Sequence, residues 1–148
     1  TAVNVEATGY DGRRGIESGD VGCGADGCKP ELVRDGVPDV AESRWSCKEN
    51  IVEPEKDNCE IKFILDEAQD IEKLQVAFYR GETRSRKLKL IINGDVVDTL
   101  ESRDTSDLTT YDIEKAGVKS LILESVGLNK EEWISLLEVD KSCISWCP

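Results

Sequence analysis

Lys87-Leu88-Lys89-Leu90-Ile91-Ile92-Asn93-Gly94-Asp95-Val96-Val97-Asp98-Thr99-Leu100 carries the clearest strand–turn–strand pattern in the chain. Leu88, Leu90 and Ile92 alternate with Lys87 and Lys89, as side chains do on the two faces of a pleated strand. Asn93-Gly94 then supplies the residue types that tolerate the positive φ of a tight hairpin turn. Val96 to Leu100 is the return strand. The same period of two extends outward in both directions. Cys59, Ile61, Phe63 and Leu65 alternate with Glu60, Lys62 and Asp66, and Leu74, Val76 and Phe78 with Lys73, Gln75 and Ala77. Further strands are predicted over 108–113, 120–126 and 133–140. Asn129 to Glu138 has helical propensity, but the alternation of Trp133, Ser135, Leu137 and Val139 favours a turn at 128–132 and then a strand. Strands at short spacing with turn residues between them predict an all-β fold, an antiparallel β-sandwich.

The chain of 148 residues is long enough for one domain. Residues 1 to about 30 read as an irregular, Gly-rich segment in which Val3, Val5 and Tyr10 can pack on a sheet. Residues 31–140 form the sandwich and 141–148 a Cys-containing tail. Asp and Glu number 31 against 19 Lys and Arg, a net charge of −12. That excludes a general nucleic-acid binder, which needs a basic face, and a constitutive binder of anionic membrane surfaces. Apolar runs last only a few residues, so membrane insertion is not expected. There is no His and no Met, even at position 1, so Thr1 is expected to be a processed start with any signal segment gone. The six cysteines, Cys23, Cys28, Cys47, Cys59, Cys143 and Cys147, are then read as the disulfide framework of a secreted protein. Three short loops are favoured, Cys23–Cys28, Cys47–Cys59 and Cys143–Cys147, with cross-linking between the terminal pairs as the alternative. A zinc site competes, but no Cys-x-x-Cys pair and no His supports it.

No catalytic constellation stands out. A Ser-His-Asp triad is impossible without His, and a Cys nucleophile lacks its usual base. Tyr79 to Lys89 is more informative: Arg80, Arg84, Arg86, Lys87 and Lys89 accompany a single acid, Glu82. Arg84 and Arg86 continue the parity of Leu88, Leu90 and Ile92, where the core face runs out into a loop. Arginine forks suit carboxylates, sulfates and vicinal hydroxyls, yet they can equally pair with the chain's own acids. Trp45, Trp133 and Tyr79 offer faces for sugar stacking, although a Trp in an apolar pattern is more often core. Asp35-Gly36-Val37-Pro38-Asp39 carries hard oxygen donors that suit Ca²⁺, but by spacing alone it is an ordinary turn.

Asp35-Gly36, Ser43-Arg44-Trp45-Ser46, Ala77-Phe78-Tyr79-Arg80-Gly81-Glu82-Thr83-Arg84 and Trp133-Ile-Ser-Leu-Leu-Glu138-Val139 together resemble the discoidin family, the coagulation factor five/eight type C domains. The likeness is greatest to the branch of carbohydrate-binding modules that accompany alginate lyases, and it covers about residues 30–140. The resemblance implies a jelly-roll β-sandwich whose loops at one end bind glycan. The expected ligand-binding residues are Arg44, Tyr79, Arg80, Glu82, Arg84, Arg86 and Trp133. It also implies a structural Ca²⁺ near the Asp-Gly turn, with Asp35, Ser43 and Glu138 as ligands. The segment between Gly36 and Ser43 is longer than the family commonly has, so Asp39 replaces a ligand or the site is lost. The expected function is non-catalytic binding of an acidic or algal polysaccharide by a secreted module, beside neighbouring domains of a larger chain. The alternatives are an extracellular adhesion or structural module that binds a protein and a small hydrolase or lyase with an acid-lined cleft.

Overall fold

The computed structural model describes residues 3–8, 28–34, 44–47, 59–127 and 132–142. These contain strands β1 (Val3–Ala7), β2 (Trp45–Cys47), β3 (Glu60–Phe78), β4 (Lys87–Ile92), β5 (Asp95–Glu101), β6 (Thr109–Ser125) and β7 (Ile134–Ser142), with one 3₁₀ turn at Pro30–Arg34. All pairings are antiparallel, in the order β2-β7-β3-β6-β4-β5, with β1 on β3. The chain is an all-β jelly-roll sandwich, as the resemblance implied.

Two long strands make one curled sheet into two layers. The first half of β3 pairs with β1 and with the second half of β6, which carries β4 and β5. The second half of β3 pairs with β7 and with the first half of β6. The register between β3 and β6 shifts three times between Ile64 and Lys73. Bulges bend and twist a strand, and here they carry the chain from one layer to the other. Core parity changes accordingly, from Ile61, Phe63 and Leu65 to Leu74, Val76 and Phe78. The strands expected over 59–66 and 73–78 are thus one strand, and those over 108–113 and 120–126 are another. The polar crossing at Asp66–Asp70 leaves the core, which is why the alternation breaks there.

Asn93 fastens the bend in β6. Its side chain donates to the Gly117 carbonyl at 2.9 Å and accepts from the backbone N–H groups of Lys119 and Ser120. Asn93 (φ 50°) and Gly94 (φ 89°) take the positive φ that the hairpin requires. The N-terminal stretch opens on a strand rather than an irregular segment, with Val3 and Val5 opposite Leu65 and Phe63. Tyr10 lies outside the described residues.

The core joins both layers, with Trp45, Ile61, Phe78, Leu88, Leu90, Leu123, Ile134 and Leu136 all inaccessible or nearly so. Cys47 and Cys59 form a disulfide across 12 residues, joining the end of β2 to the start of β3. A loop of that length contributes on the order of 3 kcal/mol. Cys28 is also disulfide-bonded. Cys23, Cys143 and Cys147, and the pairings expected for them, lie outside the described residues. Among the described residues no helix is long and apolar enough to cross a membrane.

Candidate functional site

β3 ends at the loop end of the sandwich, where β7 departs from the expected parity. Trp133, Ser135, Leu137 and Val139 do not share a face. Ile134, Leu136 and Val139 enter the core, and the register shifts between Ala77↔Glu138 and Phe78↔Leu136. Leu137 is the extra residue of this bulge, so Leu137 and Glu138 both leave the core side. Leu137 packs with Ala77 and Tyr79 in a second apolar cluster. The Tyr79 N–H donates to the Ser135 carbonyl at 2.9 Å, which continues the attachment to β7 past the end of the strand.

Tyr79 is 8% exposed, and three arginines gather on its ring. The guanidinium carbons of Arg44, Arg84 and Arg80 lie 4.2, 5.5 and 5.7 Å from the ring centroid. Cations are drawn to the negative face of an aromatic ring at such distances. Arg44 is fully buried. Its Nε donates to Ser46 Oγ at 3.1 Å, and that hydroxyl lies 2.8 Å from Ser135 Oγ. A buried guanidinium needs such partners to offset its lost hydration.

A tight turn returns the chain beside the ring. Arg80 takes φ 56°. Its carbonyl accepts the N–H groups of Thr83 and Arg84 at 3.0 and 2.8 Å and the Thr83 hydroxyl at 3.3 Å. Gly81 lies against Thr105, whose carbonyl oxygen would be 2.0 Å from a Cβ at position 81. Only glycine passes that close without displacing backbone.

Arg86, Lys87 and Lys89 are also held internally. Arg86 Nε donates to the Trp133 carbonyl at 2.7 Å, and its Nη1 pairs with Glu132 at 3.2 Å and donates to the Ser85 carbonyl at 3.1 Å. Lys87 pairs with Glu101 at 3.4 Å and Lys89 with Glu124 at 3.8 Å. Glu82 is exposed and Trp133 half-buried. Trp45 is fully buried core.

The structure therefore brings together Arg44, Tyr79, Arg80 and Arg84. Arg86 joins Trp133 through its backbone carbonyl. Glu138 is a buried carboxylate, 5% exposed, on β7. Asp35, Asp39 and Ser43 lie outside the described residues. No group of three His, Cys, Asp or Glu with metal-binding geometry occurs among the described residues. Sequence reading missed the hydroxyl pair Ser46–Ser135, whose only signal is polar residues inside otherwise apolar strands.

Away from the arginine cluster, a polar cleft of about 460 Å³ runs between the edge strand β5 and the first half of β6, lined by Asp98, Glu101, Arg103, Tyr111 and Asp112 among others. The Tyr111 hydroxyl donates to the Glu101 carbonyl across it. Arg103 donates to the Thr110 carbonyl at 3.3 Å, its guanidinium 4.6 Å from the Tyr111 ring centroid. Burial pushes the Tyr111 phenol above its usual value, with Arg103 opposing.

Sequence comparison matches neither a family model nor a curated protein. Structural comparison does find chains of similar fold. A family 32 carbohydrate-binding module of AlyQ, solved with 4,5-unsaturated mannuronic acid, matches with a TM-score of 0.69 and 20% identity, over 93% of this chain and 92% of that one. A pectin-binding carbohydrate-binding module matches with a TM-score of 0.62 and 18% identity, over 98% and 93%. An F5/8 type C domain from Bacteroides fragilis matches with a TM-score of 0.63 and 14% identity, over 95% and 90%. In a truncated AlyQ that also holds an alginate lyase domain, the match covers 92% of this chain and 30% of that one. The chain thus has the discoidin-like β-sandwich fold of the F5/8 type C domains and the family 32 carbohydrate-binding modules.

Proposed function

We propose that this chain is a non-catalytic module that binds acidic polysaccharide at the loop end of its sandwich. The observation that carries the reading is the gathering of Arg44, Arg80 and Arg84 on the Tyr79 ring in a chain of net charge −12. Arg80, which is exposed, and Arg84, which is half-buried with its Nη1 turned inward, are the ligand contacts, whereas Arg44 is fully buried. Guanidinium forks donate paired N–H groups to carboxylate or sulfate oxygens. The overall charge repels a polyanion at long range, but at physiological salt that repulsion is screened beyond about 8 Å. Short-range contacts to the cluster then decide affinity. The AlyQ module solved with an unsaturated mannuronic acid and the pectin-binding module support a uronate-bearing ligand.

A structural Ca²⁺ belongs to the same reading. Glu138 fits such an ion, since a carboxylate out of water needs cationic or hydrogen-bonding compensation and hard oxygen donors are what Ca²⁺ takes. Asp35, Asp39 and Ser43 complete the proposed set. When bound, the ion fixes the loop end without entering any reaction. The disulfides and the AlyQ chain with its lyase domain support a secreted module working beside an enzyme.

A glycan array tests the function. Graded binding to polymannuronate, pectin or sulfated galactans, with little to neutral glucans, is expected. Silence on every glycan together with capture of an extracellular matrix protein would support the adhesion reading instead.

A further inference from the structure

We infer that Tyr79 is a positioning residue: a buried ring that holds the guanidinium groups of Arg80 and Arg84 ready for an oxyanion and does not itself touch the ligand. This rests on the polysaccharide reading of the loop end. A Tyr or Trp that stacks on sugar must present a face to solvent, whereas Tyr79 is 8% exposed and packs with Ala77 and Leu137. Its backbone is fixed to β7 through Ser135.

Arg80 and Arg84 approach the ring from the two ends of one turn. The Arg80 carbonyl closes that turn by accepting from Thr83 and Arg84, and Gly81 lets it lie against Thr105. Ring and turn together bring both guanidinium carbons to between 5.5 and 5.7 Å of one centroid. Arg44, fully buried, sits closer at 4.2 Å. A free arginine loses much rotamer freedom when it binds an anion, and holding it in advance raises affinity. The shared ligand chemistry is an oxyanion with several acceptor oxygens, either a uronate carboxylate or a sulfate ester.

The test uses the whole chain with Tyr79→Phe, Tyr79→Leu and a series in which position 79 carries phenylalanine with increasing ring fluorination. The last series drains the negative ring face at nearly constant size, so folding is preserved where Tyr79→Leu fails to fold. Side-chain N–H signals of Arg80 and Arg84 are recorded by NMR without ligand. Affinity is titrated with polymannuronate and with sulfated galactan oligosaccharides. Expected are ring-current shifts of both arginines in the wild type and in Tyr79→Phe, wild-type affinity within about twofold in Tyr79→Phe, and weakening of about tenfold in Tyr79→Leu. Affinity is expected to fall stepwise with fluorination. The polymer whose affinity follows the series identifies carboxylate or sulfate as the source. Binding that is flat across the fluorinated series, or arginine signals without ring-current shifts, overturns this inference alone. A wild-type chain that binds neither polymer overturns the polysaccharide reading and this inference with it.

Discussion

Arg86 donates its Nε–H to the carbonyl oxygen of Trp133 at 2.7 Å, tying the basic segment to the residue that precedes β7. The same guanidinium holds Glu132 and the Ser85 carbonyl, and its side chain is only 13% exposed. Arg86→Ala is therefore expected to destabilise the fold by about 2 kcal/mol, since hydrogen bonds to charged groups carry more than neutral ones. Thermal melts would register a fall of roughly 4–8 °C for a domain of this size. A melt unchanged to within a degree would mean that this arginine is an ordinary surface charge.

Gly81→Ala meets backbone rather than a flexible side chain, with the Thr105 carbonyl oxygen 2.0 Å from the new carbon. The turn must move, at a cost of about 2–3 kcal/mol. The same movement displaces Arg80 and Arg84, so ligand affinity and melting temperature should fall together. Wild-type behaviour in both would show that the turn and Thr105 separate at no cost.

Alkaline stability has a definite sign. Burial raises the Tyr111 phenol above its ordinary value of 10.0, with Arg103 opposing. The hydrogen bond and charge of Asp112 raise Lys73 above 10.5. Both groups hold their protons more tightly in the folded chain. Their contribution is complete below the unfolded values and is lost as pH rises through the higher folded ones. Denaturant titrations from pH 9 upward should show stability falling, more steeply in the wild type than in Tyr111→Phe. That variant also loses the hydroxyl bond to Glu101, about 1 kcal/mol at neutral pH. Equal slopes in the two proteins would show that Tyr111 ionisation does not contribute to the alkaline loss of stability.

Calcium, if it is held through Glu138, stabilises the folded chain by mass action. Chelation should lower the melting temperature, excess Ca²⁺ should restore it, and Glu138→Gln should abolish the response. A melt indifferent to chelator, with no metal detected by elemental analysis, would leave Glu138 as a buried carboxylate satisfied within the chain.

The all-β architecture was legible because apolar alternation at Ile61–Leu65, Leu74–Phe78 and Leu88–Ile92 reports a local, period-two property. The Asn93-Gly94 hairpin was legible for the same reason. Bulges were not, because a parity change reads as a strand boundary; two long strands thus looked like four short ones. At β7 the bulge at Leu137 inverted the expected face of Trp133 and Ser135. Among the site residues, the clustering of Arg80 and Arg84 with Tyr79 is local and was visible as a charge reversal. The position of Arg44 on the same ring spans 35 residues and depends on the pairing of β2 with β7, which no local pattern encodes. The internal engagement of Arg86, Lys87 and Lys89 likewise depends on partners that only the sheet register brings near.

Titration calorimetry of the wild type and of Arg84→Ala with polymannuronate oligosaccharides, with thermal melts of both, tests directly whether the arginine cluster binds the ligand. A well-formed arginine contact to a charged ligand contributes roughly 1.5–3 kcal/mol. Saturable wild-type binding is expected, weakened about tenfold or more in Arg84→Ala, with the melt lowered by only a few degrees. Equal affinity in the two folded proteins would contradict that role for the cluster.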